Sequence, residues 1–305
     1  MKCVILQPID RSGLDILAAG GVEPVPAPST DLEVLAPLLA GAEAAITRNW
    51  GFPPVAFDLA PSLRVLGVHG TGTDRVAMDI ARARGIPVVT APGANAQSVA
   101  EHALGLMLAV ARGIPASDRA MQAGDYDFRE RFRGVELSGL CLGLWGWGQI
   151  SQLFAPMARA LGMRVLVHSA HADAAALAAQ GYEVARDVGD LLARADVLSL
   201  HGRPGPVPVL GRTEIAAMRP GAILVNTGRG ALVDEAALAE ALREGRIFGA
   251  GLDVFTREPL PEDSPLYGCP RLIMTPHVGG STEAALIRTA STVARGVLAA
   301  LKARE

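Results

Sequence analysis

Short apolar runs alternate with alanine-rich amphipathic stretches along the whole chain of 305 residues. The runs are CVIL at 3–6, AAIT at 44–47, VLGV at 65–68, VVT at 88–90, LGLW at 142–145, VLVH at 165–168, VLSL at 197–200, AILVN at 222–226 and RLIMT at 271–275. An apolar run followed by an amphipathic stretch is typical of a strand followed by a crossover helix, and its repetition builds parallel sheets. We therefore predict an α/β fold with doubly wound parallel sheets.

A chain of this length exceeds what one hydrophobic core usually organises, so two domains are expected. The longest early helix candidate, SVAEHALGLMLAVARG, begins at Ser98, which is predicted to be its N-cap, and Glu101 would complete a capping box. The segment at 120–139 is charged and irregular before the next apolar run begins. A domain boundary is therefore predicted near residue 97.

Charge and composition limit the classes of partner that this chain is expected to bind. The formal net charge of −3, without a long run of Lys or Arg, argues against nucleic acid. Three widely separated cysteines suggest a reducing cytoplasm, and His69, His102 and His201 are interpreted as structural because no spacing among them suggests metal ligands. No segment approaches 18 uninterrupted apolar residues, and the N-terminus lacks a signal pattern, so no membrane partner is expected.

The stretch GLWGWGQIS at 143–151 forms a glycine turn between a predicted strand and a predicted helix. In a dinucleotide fold the first glycine, here Gly146, makes the tight turn, and the second, Gly148, lets a pyrophosphate approach the backbone. Amides at the start of the helix, at Gln149 and Ile150, would then face the phosphates. Ser151 stands where a third glycine is usual, so an ordinary tight turn is the alternative.

The residue that ends the next strand bears on the choice of cofactor. An Asp or Glu about 20 positions after the turn normally holds the adenosine ribose of NAD. Here Ser169 occupies that place, flanked by His168 and His171, and Asp173 falls in the following turn. Without a carboxylate to repel a 2′-phosphate, either NAD or NADP is admissible.

Three later segments carry a resemblance to a known family: VNTGRGALVDEAAL at 225–238, GLDVFTREPL at 251–260 and MTPHVGG at 274–280. They resemble the signature blocks of the D-isomer-specific 2-hydroxyacid dehydrogenases, and the similarity extends over most of the chain. The resemblance implies two Rossmann-like domains with an active-site cleft between them. It also implies hydride transfer between a nicotinamide cofactor and a small 2-keto acid.

By this resemblance Arg229, Glu258 and His277 match the family's catalytic arginine, glutamate and histidine. The roles are physically reasonable, because reduction of a 2-keto acid needs a proton donor, a cation for the carboxylate and a group that orients the donor. Glu258 would raise the pKa of His277, and Arg229 offers a planar fork that matches a carboxylate. Taken singly, each residue could equally be a helix cap, a solvated carboxylate or a turn residue.

Further positions follow from the resemblance alone. Thr227 and Asp253 are expected to bind the cofactor, Asp253 at the nicotinamide carboxamide. The substrate is expected to lie near Arg48, Asn49, Trp50, Gly70, Thr71 and Asn95. The segment TRNWGFPP at 47–54 lacks the additional arginine of phosphoglycerate dehydrogenases, which favours an unphosphorylated acid, although Trp50 could simply pack at the surface.

The sequence thus predicts a substrate-binding domain at 1–96 plus 283–305 and a dinucleotide-binding domain at 97–282. A homodimer is expected, with its contact in the 113–139 segment. A nucleotide-sensing corepressor on the same fold is the alternative from a different class. Formate dehydrogenase is an enzymatic alternative that Glu258 disfavours, because that relative has Gln at this position.

Overall fold

The computed structural model describes residues 1–170, 172–202 and 204–303. The strands are β1 Lys2–Ile5, β2 Glu23–Pro26, β3 Ala44–Thr47, β4 Val65–Val68, β5 Val88–Val89, β6 Cys141–Trp145, β7 Arg164–His168, β8 Glu183–Val184, β9 Val197–Leu200, β10 Ile223–Asn226, β11 Gly249–Leu252 and β12 Leu272–Met274. The helices are α1 Arg11–Ala19, α2 Leu32–Leu39, α3 Pro54–Leu59, α4 Met78–Ala83, α5 Ala96–Arg112, α6 Ile114–Gln122, α7 Phe128–Arg131, α8 Gln149–Ala160, α9 Ala174–Ala179, α10 Val188–Arg194, α11 Arg212–Ala217, α12 Glu235–Arg243 and α13 Glu283–Lys302.

The chain divides into two compact units. The first comprises Met1–Asn95 and Gly280–Glu305, and the second comprises Ala96–Gly279. The boundaries expected from the sequence, at 96 and 283, differ from these by one and three residues. The first unit is discontinuous because the C-terminal helix α13 packs against β4 and α1 of its own unit.

The first unit is built on a parallel five-stranded sheet in the order β2-β1-β3-β4-β5. Successive side chains of a strand point to opposite faces, and β1 shows this directly. Cys3 and Ile5 pack in one core with residues of α1 and α13, whereas Val4 packs in a second core with residues of α2 and α3. Both faces of the sheet are therefore covered by helices, as in a doubly wound domain.

The second unit contains a parallel seven-stranded sheet in the order β12-β11-β10-β9-β6-β7-β8. The chain passes from β6 outward through β7 to β8, and it then returns to β9 on the other side of β6. In open parallel sheets, ligands bind at the carboxyl ends of the strands where the strand order reverses. The end of β6, where the glycine turn begins, is that place in this unit.

The predicted fold class, two doubly wound parallel-sheet domains, is confirmed. Every predicted apolar run contains a strand, but β2, β8 and β11 were missed. The sequence of β11 is GAGL, which lacks branched residues. A Cβ built on Gly251 would lie 2.9 Å from the Cβ of Leu106 in α5, so the strand is glycine-rich because a helix packs directly upon it.

Two local predictions were wrong. Helix α5 begins at Ala96, so Ser98 is buried inside its first turn and is not its N-cap, and Glu101 instead accepts a hydrogen bond from Gln97. The 120–139 segment is not wholly irregular, since it contains the end of α6 and the short helix α7.

Helix α13 is long and apolar enough to cross a membrane by length and composition, but one of its faces is buried in the core of the first unit.

Candidate active site

His277 lies in a short loop that follows β12 at the carboxyl edge of the second sheet. Its φ of 54° is in the left-handed region, which costs a non-glycine residue about 1 kcal/mol. Two backbone contacts hold it there, because the His277 amide donates to the carbonyls of Asp253 and Thr275, both at 2.9 Å. The imidazole is therefore presented by a backbone conformation that its surroundings impose.

Glu258 orients the imidazole. Its Oε2 lies 3.0 Å from Nδ1 of His277, and its Oε1 accepts the Phe255 amide at 3.1 Å. The hydrogen bond to Glu258 raises the pKa of His277 above its ordinary value, although burial and the charge of Arg229 act in the opposite direction. An ionised carboxylate can only accept, so Nδ1 carries a hydrogen and Nε2 is the nitrogen that can give up or take a proton.

Arg229 follows β10 in a turn that Asn226 organises. The buried side chain of Asn226 donates to the Arg229 carbonyl at 2.9 Å and accepts the Gly228 amide at 3.0 Å. The next residue, Gly230, packs so closely on the 255–256 backbone that a Cβ would lie 1.8 Å from the carbonyl carbon of Phe255. This approach brings Arg229 near the Glu258 loop, where its charge acts on His277. The structure therefore brings the three predicted catalytic residues together in one unit.

Asp253 is almost fully buried directly after β11, and it organises the loop that carries His277. Its carboxylate accepts the Thr275 hydroxyl at 2.6 Å and the amides of Val278 and Gly279, both at 2.8 Å. Burial raises the pKa of this carboxyl, but these hydrogen bonds and one from His102 outweigh it, so the net pKa lies below the ordinary value. The predicted contact with a nicotinamide carboxamide stays a prediction.

The glycine turn at the end of β6 has the shape that a pyrophosphate needs. Gly146 has φ of 106°, and a Cβ there would lie 2.8 Å from the carbonyl carbon of His201. A Cβ on Gly148 would meet nothing within 4 Å, so its absence leaves open space at the start of α8. Buried Ser151 occupies the third glycine position without a clash, and its hydroxyl donates to the Gly146 carbonyl at 2.8 Å.

Polar groups around the turn fit a dinucleotide. Helix α8 begins after Gly148 without a side-chain cap, so the amides of its first turn, including those of Gln149 and Ile150, are available to an anion. The Thr227 hydroxyl and Nδ1 of His201 are buried and have no hydrogen-bond partner within the described parts of the chain. Such groups are costly unless a ligand or water pairs them, so the residues present fit a bound dinucleotide.

The end of β7 carries no carboxylate. His168 contacts Trp145 edge-on with ring centroids 6.0 Å apart, and Ser169 follows it. Asp173 is the N-cap of α9, where one oxygen accepts the amides of residues 175 and 176. The ribose position expected from the sequence is thus occupied by Ser169, whereas His171 lies outside the described residues. Trp147 in the turn packs against Tyr182, with ring centroids 5.3 Å apart.

The loop at 48–52 in the first unit is held by a residue that sequence reasoning missed. Oε1 of Gln7 accepts the amides of Arg48 and Trp50 at 3.1 and 2.8 Å. Arg48 itself donates to the Pro8 carbonyl at 2.7 Å. Between the two held amides, that of Asn49 has no partner among the described residues. The loop therefore presents one backbone donor beside a guanidinium.

Two further groups define the charge of this loop. Arg75 donates to the Asn49 carbonyl at 2.8 Å, so a second guanidinium reaches the loop from 26 positions along the chain. Segment 47–54 itself has no second arginine, but a guanidinium from elsewhere in the chain contacts it. His69 adds no charge at neutral pH, because burial, and secondly the charge of Arg48, lower its pKa to about 4. Trp50 is half-buried and packs partly on the core of the first unit.

The remaining predicted substrate residues also lie in the first unit. Gly70 accepts the Ala91 amide at 2.8 Å, and the Thr71 hydroxyl lies 3.5 Å from the Ala91 carbonyl. Asn95 ends the first segment of the unit and packs against Gly280, where a Cβ would lie 2.8 Å from its Nδ2. Among the described residues no group of three His, Cys, Asp or Glu side chains could hold a metal ion.

A parallel sheet with a glycine turn at its switch point, next to clustered Arg, Glu and His side chains, defines a dinucleotide-binding α/β protein. Residues 104–279 match the family described as "D-isomer specific 2-hydroxyacid dehydrogenase, NAD binding domain". The chain belongs to this family.

Individual relatives agree with this assignment. The chain is 36% identical over 304 residues to D-3-phosphoglycerate dehydrogenase of Methanocaldococcus jannaschii, covering 99% of this chain and 58% of the relative. It is 36% identical over 256 residues to glyoxylate reductase of Thermococcus litoralis, covering 80% of this chain and 75% of the relative. A crystal structure of the TT0316 protein from Thermus thermophilus superposes with a TM-score of 0.89 at 35% identity, covering 100% of this chain and 98% of that chain. The chain spans about half the length of the curated phosphoglycerate dehydrogenases it matches.

Proposed function

We propose that this protein is an oxidoreductase that transfers a hydride between NAD(P)H and a small 2-keto acid to give a D-2-hydroxy acid. The observation that carries the proposal is the 3.0 Å contact between Glu258 and Nδ1 of His277, beside Arg229. This arrangement leaves Nε2 of a protonated imidazole to act as an acid. Relatives named as phosphoglycerate dehydrogenase and glyoxylate reductase act on acids of this class, which supports the proposal.

The residues of the second unit would divide the chemistry. Nε2 of His277 gives a proton to the substrate carbonyl oxygen during reduction and takes it back during oxidation. Glu258 keeps the imidazole protonated and fixed in orientation, and Arg229 stabilises negative charge on the oxygen atoms of the acid. The nicotinamide, when bound, supplies or accepts the hydride. Gly146, Gly148 and the first turn of α8 would hold its pyrophosphate, with Thr227 as a further polar contact.

The loop at 48–52 would receive the substrate carboxylate. Its Asn49 amide and the Arg48 guanidinium are donors of the kind that a carboxylate accepts, and the contacts from Gln7 and Arg75 keep the loop in one conformation. Because Arg75 also reaches this loop, charge alone does not decide between a plain and a phosphorylated acid. We propose an unphosphorylated acid, because the segment itself supplies a bulky aromatic side chain, Trp50, where phosphoglycerate dehydrogenases have an additional arginine.

Both nicotinamide cofactors are compatible with the end of β7. Ser169 offers neither the carboxylate that binds the ribose of NAD nor a guanidinium for a 2′-phosphate. We therefore propose NAD or NADP as the cofactor, with preference to be measured.

The protein is also proposed to be a cytoplasmic homodimer. Helices α6 and α7 contain no buried residue. Ile114 and Met121 of α6 are 55 and 57% exposed, and Tyr126 in the turn between the two helices is 61% exposed. Met121 and Tyr126 line a groove of about 810 Å³ together with Phe128 and Phe132. An apolar face of this kind marks a protein interface in preference to solvent. Sedimentation should give twice the chain mass, and the Ile114→Lys variant should sediment as a monomer.

The test of the activity is a panel of glyoxylate, hydroxypyruvate, longer 2-keto acids and a phosphorylated 2-keto acid against NADH and NADPH. We expect turnover with an unphosphorylated acid. His277→Ala should lose about 10³-fold in kcat, because general acid catalysis contributes roughly 10²–10⁴-fold, and it should still bind the cofactor. An absence of turnover with every acid, together with tight cofactor binding, would instead favour the nucleotide-sensing alternative.

A further inference from the structure

A chain of hydrogen bonds links helix α5 to the loop that carries His277, although neither end of the chain is a predicted catalytic residue. Nε2 of His102 lies 2.9 Å from the Thr275 hydroxyl and 3.3 Å from Oδ1 of Asp253. The Thr275 hydroxyl lies 2.6 Å from the same Oδ1. Thr275 is two residues before His277, and its carbonyl accepts the His277 amide.

The direction of each bond follows from the donors available. Asp253 is ionised, so it can only accept, and the single hydroxyl hydrogen of Thr275 is committed to it at 2.6 Å. The Thr275 oxygen must then accept from His102. Nε2 of His102 therefore carries a hydrogen, and the chain runs from His102 through Thr275 to Asp253. The tautomer of His102 is fixed by this accounting.

This chain of hydrogen bonds supports the backbone of the loop, whereas Glu258 contacts the imidazole of His277. Asp253 also accepts the Val278 and Gly279 amides, so its carboxylate sets the positions on both sides of His277. His102 steadies that carboxylate from a seventeen-residue helix that packs on β10 and β11. A rigid element thus fixes the anchor of a loop whose histidine has a left-handed backbone.

We propose that His102 is a positioning residue for the proposed reaction, acting through Thr275 and Asp253 on the loop that presents His277. The inference rests on the proposed function for its kinetic consequences, but the tautomer of His102 does not depend on it. A residue that only filled space on α5 would tolerate an apolar replacement of similar size. A residue that donates a hydrogen bond to Thr275 would not tolerate that replacement.

The kinetic experiment compares His102→Met with His102→Gln, since the glutamine Nε2 can donate from nearly the same place. We expect His102→Met to lower kcat about tenfold, as a small misplacement of a catalytic group does, with KM and the cofactor Kd changed less than about twofold. His102→Gln should restore most of kcat. Glu101→Met, an exposed neighbour on α5, is the matched control and should behave as the unmodified protein.

Two further experiments distinguish a failure of this inference from a failure of the proposed function. Thr275→Val should lower kcat at least as much, and adding His102→Met to it should cause no further loss, because both changes break one chain. Nitrogen-15 NMR of the histidines should show His102 in the Nε2-protonated form. An Nδ1-protonated His102, equal losses in the Met and Gln variants, or multiplicative losses in the double variant would overturn the inference. If the unmodified protein reduced no acid, the NMR result would still test the chain while the proposed function failed.

Discussion

Two loops in different units of this protein are held in the same way, one by a neutral side chain and the other by an anionic one. The loop at 48–52 follows β3 and is held by Gln7 from the end of the neighbouring strand β1. The loop at 275–279 follows β12 and is held by Asp253 from the end of the neighbouring strand β11. In each case one side chain accepts two backbone amides across the carboxyl edge of a parallel sheet.

The difference lies in the charge that each holding residue brings. Gln7 is neutral and adds no negative charge beside Arg48, which suits a loop proposed to receive an anion. Asp253 is anionic, and its charge raises the pKa of His277. Hydrogen bonds to an ionised acceptor are about twice as strong as neutral ones. Either side chain could accept two amides, so the difference in charge is what fits the two loops to the different tasks that we propose for them.

Among changes to the residues that hold or orient the two loops, the largest effect should come from removing the charge of Asp253. In Asp253→Asn the new amide group faces at least one of the Val278 and Gly279 amides, so two donors oppose each other and the His277 loop shifts. We expect kcat to fall about 100-fold, because a displacement near 1 Å costs roughly that factor. Steady-state kinetics with the best acid of the panel gives the measurement. If kcat fell less than about threefold, the charge of Asp253 would be unimportant to the loop.

A smaller effect should follow from Glu258→Gln, which keeps the size of the side chain and removes its charge. The Glu258 hydrogen bond raises the pKa of His277, so protonated His277 persists to higher pH in the unmodified protein. Reduction needs that proton and should decline as pH rises through this pKa. In the variant the decline should begin at lower pH, and kcat at neutral pH should fall about 30-fold.

The pH profile of oxidation provides the internal control for Glu258→Gln. Oxidation needs neutral His277, so its rise with pH should move in the same direction, to lower pH. A profile of reduction that moved to higher pH, or did not move, would show that Glu258 does not set the protonation of His277.

Features that depend on local sequence pattern could be predicted from the sequence, whereas features that depend on contacts between distant residues could not. Strands such as β3 and β9 are buried apolar runs and were predicted, whereas β11 is recognisable only once α5 is seen to pack on its glycines. Arg229, Glu258 and His277 came from family resemblance. Gln7 had no signal, because its partners lie 41 and 43 residues away, and Arg75 reaches its loop from 26 positions away.

The smallest effect should come from Gln7→Met, which keeps the length of the side chain and removes the acceptor. Two neutral hydrogen bonds of about 1 kcal/mol each are lost, and other contacts to Thr47 and Arg75 still hold the loop. We therefore expect KM for the acid to rise about fivefold, with kcat and cofactor Kd nearly unchanged. Arg84→Met, which removes side-chain bonds elsewhere in the first unit, controls for lost stability. A fall in kcat equal to that of Asp253→Asn, or an equal rise in KM in the control, would remove the distinction between the two loops. A change confined to KM would support it, because the neutral holder then serves binding while the charged holder serves the proton transfer.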